Sequence, residues 1–294
     1  MNNLGLYVAA VLIWGTTWLA ITFQLGPVPP EVSVAYRFGL AGLLLLAWCG
    51  ARRLRLAYSW REHGVMAAQG ALLFGINYVC VYRAEGLIAS GLVAVTFSLL
   101  SPFNMVGARL FFGTTIRPAS LVGAALGVAG VALVFLPELS HASEQGHLTL
   151  GFGIALVGVV SACLGNLVAA RNQRQGLPVV QLNTFGMIYG AALVAAYALA
   201  IGRPFVVDRS ASYLLSLGYL SLFGSVLAFG AYLTLLGRIG AGNAGYVNAI
   251  IPIVALVVST CFEGLRWHAA TVLGVLLCLA GNVLVLRRPA KPSA

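Results

Sequence analysis

The residue that stands out in this sequence is Arg37, a permanent cation inside the apolar segment VSVAYRFGLAGLLLLAWCGA at positions 32–51. A charged side chain at membrane depth is costly, and it usually serves a function or has a partner. Arg37 could snorkel to the nearer interface along its aliphatic stem. Alternatively, it could face the protein interior, where it would attract a carboxylate or pair with a carbonyl group or an aromatic face. The sequence leaves both alternatives open.

Around Arg37, the groups available for recognising a small molecule are aromatic rings, amides and hydroxyls. Interior packing or hydrogen bonding between helices is the alternative role for each of them, because an unpaired amide in hydrocarbon is costly. Trp14 falls near the middle of its segment, which is not where an interfacial belt tryptophan would lie. The candidate substrate-binding residues, besides Arg37, are Trp14, Trp18, Asn77, Tyr78, Tyr82, Ser98, Asn104, Asn166, Tyr232, Tyr246 and Asn248.

Acidic side chains are absent from the middle of every apolar segment, since all seven Asp and Glu residues fall in loops or at segment ends. A carboxylate that exchanges protons with a cationic drug would be expected at membrane depth. The sequence therefore favours neutral, zwitterionic or anionic cargo, and movement down a gradient. It shows no catalytic constellation and no metal-ligand spacing, so we expect no catalytic residue, no metal and no cofactor.

The elements that must position these residues are membrane helices. The chain has 294 residues, of which 60% are hydrophobic and 8% are charged, and ten apolar segments are long enough to cross a bilayer. If the N-terminus is cytoplasmic, twelve Lys and Arg residues fall in the inside loops and four in the outside loops. We therefore predict an all-α integral membrane protein with ten transmembrane helices and both termini cytoplasmic.

The two halves of the chain resemble each other at an offset of 150 residues. The interval from Tyr82 to Pro102 equals that from Tyr232 to Pro252. Five helices per copy make the second copy inverted, which is an architecture of alternating access. We predict a first repeat at 1–137, a second at 148–288 and a cytoplasmic tail at 289–294. Each proline frees the carbonyl four residues earlier, so Pro102 and Pro252 are candidate gating kinks, with simple packing kinks as the alternative.

Several motifs resemble the drug/metabolite transporter superfamily, specifically the EamA-type ten-helix exporters. They are LIWGTTW at 12–18, GLVAVTFSLLSPFNMVGARLFFG at 91–113 and GNAGYVNAIIPIVALVVSTCFEGLRW at 242–267. The family pattern closes the ninth span with a glutamate, and Glu263 fills that place. Thr114 or Thr115 stands where the first half usually has one, which is a departure from the pattern. Within the superfamily the chain is most similar to the YddG-type exporters of aromatic and neutral amino acids.

These observations together predict a monomeric exporter of the bacterial inner membrane that moves amino acids or similar metabolites by alternating access. Export of drugs, or of purine- or sugar-type metabolites, is the alternative within the superfamily. A membrane-embedded enzyme is the alternative from another class. The predicted partners are a small-molecule substrate and the lipid bilayer. Nucleic acid is not expected, because the arginines lie singly or in small groups at segment ends.

Overall fold

A computed structural model of the protein describes residues 2–137, 145–232, 234, 235, 238 and 246–286. In that part of the chain all regular secondary structure is helical, as predicted, and ten apolar helices are present. Nine of these are long and apolar enough to cross a bilayer, whereas the described part of the ninth in chain order is shorter. They are α1 Asn3–Thr22, α2 Pro30–Ala51, α3 Trp60–Glu85, α4 Ser90–Phe112, α5 Pro118–Phe135, α6 Gln145–Arg174, α7 Val179–Ala200, α8 Ala211–Tyr232, α9 Tyr246–Phe262 and α10 Ala269–Leu286.

Polar side chains fix several helix starts at the bundle ends. The Asn2 side chain accepts a hydrogen bond from the Gly5 amide at the start of α1. Ser59 and Glu62 form a reciprocal capping box at the start of α3. Such caps satisfy backbone amides that have no partner within the helix. These residues therefore set where the membrane segments begin, while hydropathy sets their length.

The pairing of α5 with α10 shows that the two halves are inverted. Gly123 of α5 lies against Gly281 of α10, and Gly130 lies against Gly274, so the residue numbers fall on one helix as they rise on the other. The two helices are therefore antiparallel, although they occupy the fifth place in their respective halves. Glycines at the contact let the backbones approach closely, as in other membrane helix pairs. Helices in the same place that run in opposite directions are the signature of an inverted repeat.

A short π-helical stretch occurs at the same place in both halves, at Ala71–Ile76 in α3 and at Leu220–Leu227 in α8. The first stretch receives a hydrogen bond from α6, where Ser161 Oγ donates to the Leu72 carbonyl at 2.7 Å. The second receives one from α1, where Trp14 Nε1 donates to the Gly224 carbonyl at 3.0 Å. Because a π-helical turn disturbs the regular ladder, its carbonyl groups become available to side chains of other helices.

The local helix type beside the two predicted proline kinks differs between the two halves. In α4, the turn at Phe97–Leu99 that precedes Pro102 is a 3-10 helix, whereas α9 is α-helical through Pro252. The side chains also differ at this place. Phe97 of α4 packs against the Trp18 ring, whereas the corresponding position in the second half, 247, carries a smaller valine. The helix before Pro102 is therefore locally tighter than the one before Pro252, and both prolines remain candidate gating residues.

Two acidic residues join helices at the end of the bundle that the arginine distribution predicts to be outside. Glu31 is buried and pairs with Arg83, whose Nε donates to Glu31 Oε1 at 2.8 Å, and Arg203 Nε lies 3.8 Å from Glu31 Oε2. Glu263 accepts hydrogen bonds from the Ser90 amide at 3.1 Å and the Ser90 hydroxyl at 2.5 Å. The glutamate that closes the family motif therefore caps α4 and ties it to the end of α9.

Candidate functional site

Six aromatic rings form a continuous series through the interior, with each centroid 4.6–6.3 Å from the next. We call this series the aromatic row. It begins on α3 near the predicted outer end and finishes on α8 towards the predicted inner end. Offset or edge-to-face ring pairs at these distances are mutually favourable. In order, the aromatic row is Tyr78, Phe38, Phe74, Phe229, Trp14 and Tyr232.

Arg37 lies at the outer end of the aromatic row. Its side chain is 1% exposed, and its guanidinium carbon lies 4.6 Å from the Tyr78 ring centroid and 5.0 Å from that of Phe38. The side chain therefore does not snorkel to the interface. A cation over aromatic faces is stabilised by the ring quadrupoles, yet Nε and Nη1 have no hydrogen-bond partner. Two guanidinium nitrogens, which carry three N–H donors, thus remain available inside the bundle.

Tyr82 and Gln24 lie beside Arg37. The Tyr82 side chain is fully buried, and its hydroxyl donates a hydrogen bond to Gln24 Oε1 at 2.5 Å. Tyr82 also interacts with the Arg37 guanidinium. The amide nitrogen of Gln24 has no hydrogen-bond partner. This end of the aromatic row therefore presents several polar atoms in an apolar environment.

At the other end of the aromatic row, Trp14, Tyr232 and Asn248 bring α1, α8 and α9 together. The Trp14 and Tyr232 ring centroids lie 5.3 Å apart, and the Tyr232 hydroxyl hydrogen-bonds with the Asn248 side chain. Trp14 and Tyr232 are half-buried, and Asn248 is exposed. Trp18 lies one turn from Trp14 and contacts Phe97 at 5.2 Å, which extends the aromatic surface to α4.

Two of the predicted polar candidates form hydrogen bonds with groups outside the aromatic row. Asn77 donates to the Leu73 carbonyl of its own helix, and Ser98 hydrogen-bonds with Cys278 of α10. Asn104 and Asn166 are half-buried on α4 and α6. The Ser98 bond is therefore the kind of bonding between helices that was the alternative role, whereas the Asn77 bond stays within its own helix. The side chain of the predicted candidate Tyr246 lies outside the described residues.

The sequence reasoning missed residues that belong to this site. Phe38, Phe74 and Phe229 read as ordinary apolar residues, although each connects two members of the aromatic row. Gln24 was missed because it follows the last residue of the first apolar segment. A polar residue directly after an apolar segment, near in sequence to an interior arginine, is the signal that would have drawn attention to it.

A bundle of ten apolar helices in two inverted halves, with an aromatic interior, is the architecture of a polytopic transporter. The chain belongs to the EamA-like transporter family, whose model matches residues 3–136 and again 149–287. This protein is thus a membrane transporter, and the resemblance to the EamA-type exporters is confirmed.

Individual relatives span almost the whole chain. The chain is 29% identical to the protein named "Uncharacterized inner membrane transporter YedA" of Escherichia coli K12, over 98% of this chain and 93% of the relative. It is 24% identical to the "Probable amino-acid metabolite efflux pump" of the same organism, over 94% and 93%. A solved crystal structure aligns with a TM-score of 0.69 at 20% identity, covering 95% of this chain and 94% of that chain. That likeness shows the fold.

Proposed function

We propose that this transporter exports small zwitterionic or neutral metabolites, aromatic amino acids foremost, across the bacterial inner membrane. The observation that carries the proposal is the aromatic row, which joins Arg37 near one end of the bundle to Asn248 near the other. Aromatic faces offer apolar and π contacts to a substrate ring, and the guanidinium of Arg37 offers donors to a carboxylate. The printed name of one relative, an amino-acid metabolite efflux pump, supports the same substrate class.

The proposed mechanism is alternating access between two repeats, residues 1–137 and 148–288, with both termini cytoplasmic and one chain sufficient. The antiparallel pairing of α5 with α10 supports this, since inverted copies can exchange conformations and so open one site to either side. Pro102 and Pro252 are the proposed hinges. The chain forms a 3-10 turn just before Pro102, whereas it is α-helical through Pro252. This difference supports two repeats that adopt unlike conformations in any one state of the transport cycle.

The proposed cargo moves down its own concentration gradient. Glu85, the acidic residue that approaches the outer end of the aromatic row, is the last residue of α3 and does not lie at the mid-membrane depth where a carboxylate would exchange protons with a cationic drug. A lipophilic cation, or a purine- or sugar-type metabolite, is the second class of candidate cargo. The buried Arg37 argues against cations, because a cation beside it would be repelled in a medium of low dielectric constant.

The experiment is uptake of radiolabelled solutes by the purified protein in liposomes. We expect uptake of phenylalanine and tyrosine without a pH gradient, and competition by other neutral amino acids. Arg37→Gln should reduce uptake while the protein stays correctly inserted, and Arg209→Gln, which removes an exposed arginine, is the matched control. Uptake of a lipophilic cation, with indifference to every amino acid, would refute the proposed cargo. Uptake that requires a pH gradient would refute gradient-driven movement.

A further inference from the structure

Glu85, the last residue of α3, is a second buried ionisable residue beside the aromatic row. It is 7% exposed, and neither of its carboxylate oxygens has a hydrogen-bond partner. Glu85 is one of the residues that line a cavity of about 810 Å³ at the predicted outer end, formed by the α3–α4 loop, the start of α6 and the α9–α10 loop. A buried carboxylate without a partner is strongly unfavourable, so it needs an explanation.

The helix geometry places Glu85 close to Arg37. Tyr78, Tyr82 and Glu85 lie at positions i, i+4 and i+7, so they share one face of α3. Arg37 lies over Tyr78 and interacts with Tyr82, and Glu85 follows Tyr82 by about 4.5 Å along the helix axis. The charged groups near enough to act electrostatically on Glu85 are Glu263 and Arg37.

The polar atoms that lack partners are concentrated at this place. Eleven buried side-chain atoms in the described part of the chain have no hydrogen-bond partner, and five of them belong to Gln24, Arg37 and Glu85. Those three residues surround Tyr82, whereas the remaining six atoms are spread over six other residues. Such a concentration of unsatisfied donors and acceptors indicates a polar binding site and not an isolated packing defect.

The other carboxylates nearby are already engaged. Glu263 accepts two hydrogen bonds from Ser90, and Glu31 is paired with Arg83. Of the two groups that act electrostatically on Glu85, Glu263 is engaged and Arg37 is not, and the atoms without partners show that Arg37 and Glu85 do not bond each other. The site therefore offers guanidinium donors and carboxylate acceptors side by side.

We propose that Arg37 and Glu85 form a clamp for a zwitterion, in which Arg37 binds the α-carboxylate and Glu85 binds the α-ammonium of an amino acid. This inference rests on the proposed function and narrows its substrate class. The ammonium nitrogen and carboxylate oxygens of an amino acid lie about 3 Å apart. With a charge-assisted hydrogen bond at each end, the ligand bridges groups about 6 to 9 Å apart. The aromatic row, which begins at Tyr78 beside Arg37, receives the substrate side chain.

The clamp has a chemical consequence that neither charge has alone. A ligand that lacks the ammonium group leaves the Glu85 carboxylate buried without a partner, and a ligand that lacks the carboxylate does the same to Arg37. A site built for polar groups rejects analogues that lack them, because its own buried groups are then unpaired. The transporter should therefore select for the zwitterion and not merely for an aromatic ring.

The test is competition against phenylalanine uptake in proteoliposomes by 3-phenylpropionate, which lacks the ammonium, and by phenethylamine, which lacks the carboxylate. Wild-type protein should need about 100-fold more of either analogue than of unlabelled phenylalanine for half-inhibition. Glu85→Gln should reduce the penalty against 3-phenylpropionate to less than about 10-fold and leave the other penalty unchanged. Arg37→Gln should do the converse, and the exposed control Arg209→Gln should keep both penalties.

The outcomes separate the clamp from the proposed function. If both analogues inhibit phenylalanine uptake by the wild-type protein as well as unlabelled phenylalanine does, the clamp is overturned and the proposed function still stands. This comparison needs no variant. Glu85→Gln and Arg37→Gln variants that weaken all three ligands by one common factor would show a purely structural pair and would also overturn it. No uptake of any amino acid would overturn the proposed function, and the clamp with it.

Discussion

Replacement of Gly130 by alanine should separate α5 from α10 and destabilise the protein. A Cβ atom on Gly130 would lie 2.5 Å from the Gly274 carbonyl oxygen and 2.7 Å from the Cys278 amide nitrogen. Ordinary carbon–oxygen contacts between helices are about 3.3–3.6 Å, so the two backbones must move apart by about 1 Å. Overpacking of this kind costs about 1–3 kcal/mol, and the better helix propensity of alanine offsets up to about 1 kcal/mol of it.

Gly127 supplies a matched control one turn earlier on the same helix. A Cβ atom there meets nothing within 4 Å, so Gly127→Ala should be neutral or stabilise the protein by up to about 1 kcal/mol. The assay is thermal unfolding in one detergent at one scan rate. Gly130→Ala should lower the midpoint by a few degrees, because 1 kcal/mol corresponds to about 2–4 °C in a protein of roughly this size. Equal midpoints for the two variants would refute the antiparallel glycine contact.

Three further variants test individual contacts. Glu263→Gln should lower the free energy of unfolding by about 1–2 kcal/mol, because Ser90 loses a charged acceptor; an unchanged unfolding midpoint would contradict the cap. Arg83→Gln should cost more than Glu31→Gln, since it leaves a carboxylate buried, and the cost for one unpaired buried charge is about 3–5 kcal/mol. The reverse order in thermal unfolding would refute that pairing. Trp14→Phe should cost about 1 kcal/mol by losing one hydrogen bond and should slow phenylalanine uptake; unaltered uptake would exclude Trp14 from the pathway.

The ten helices could be predicted because hydropathy over about 20 residues is a strong signal, but their ends were less well defined. The third segment reads as apolar from Gly64 to Tyr82, whereas α3 extends over Trp60–Glu85. Charged residues at helix ends interrupt the apolar pattern without ending the helix, since Glu62 takes part in the cap of α3 and Arg83 reaches Glu31. The π-helical stretches have no comparable signal, because they arise from packing against other helices.

The structure brings some of the predicted site residues together and turns others elsewhere: Trp14, Tyr78 and Tyr232 lie in the aromatic row, whereas Asn77 and Ser98 form hydrogen bonds outside it. Asn77 precedes Tyr78 and Ser98 follows Phe97, yet neighbouring positions on a helix point about 100° apart. One of each pair therefore faces the aromatic rings while the other faces its own helix or α10. Glu85 was read as a residue at a segment end, because sequence position gives depth but not the direction of the side chain.

The central claim is that two inverted repeats enclose one pathway that opens to either side in turn. Its most direct test uses single cysteines in a cysteine-free protein, one replacing Leu92 and the other replacing Ala231. Leu92 is 3% exposed beside the outer cavity, and Ala231 is half-buried next to Tyr232 near the predicted inner end. The measurement is the rate of labelling by a membrane-impermeant thiol reagent from each side, with and without saturating phenylalanine. The account predicts that substrate changes the two rates in opposite directions. Rates that rise or fall together, or that do not respond to substrate, would contradict it.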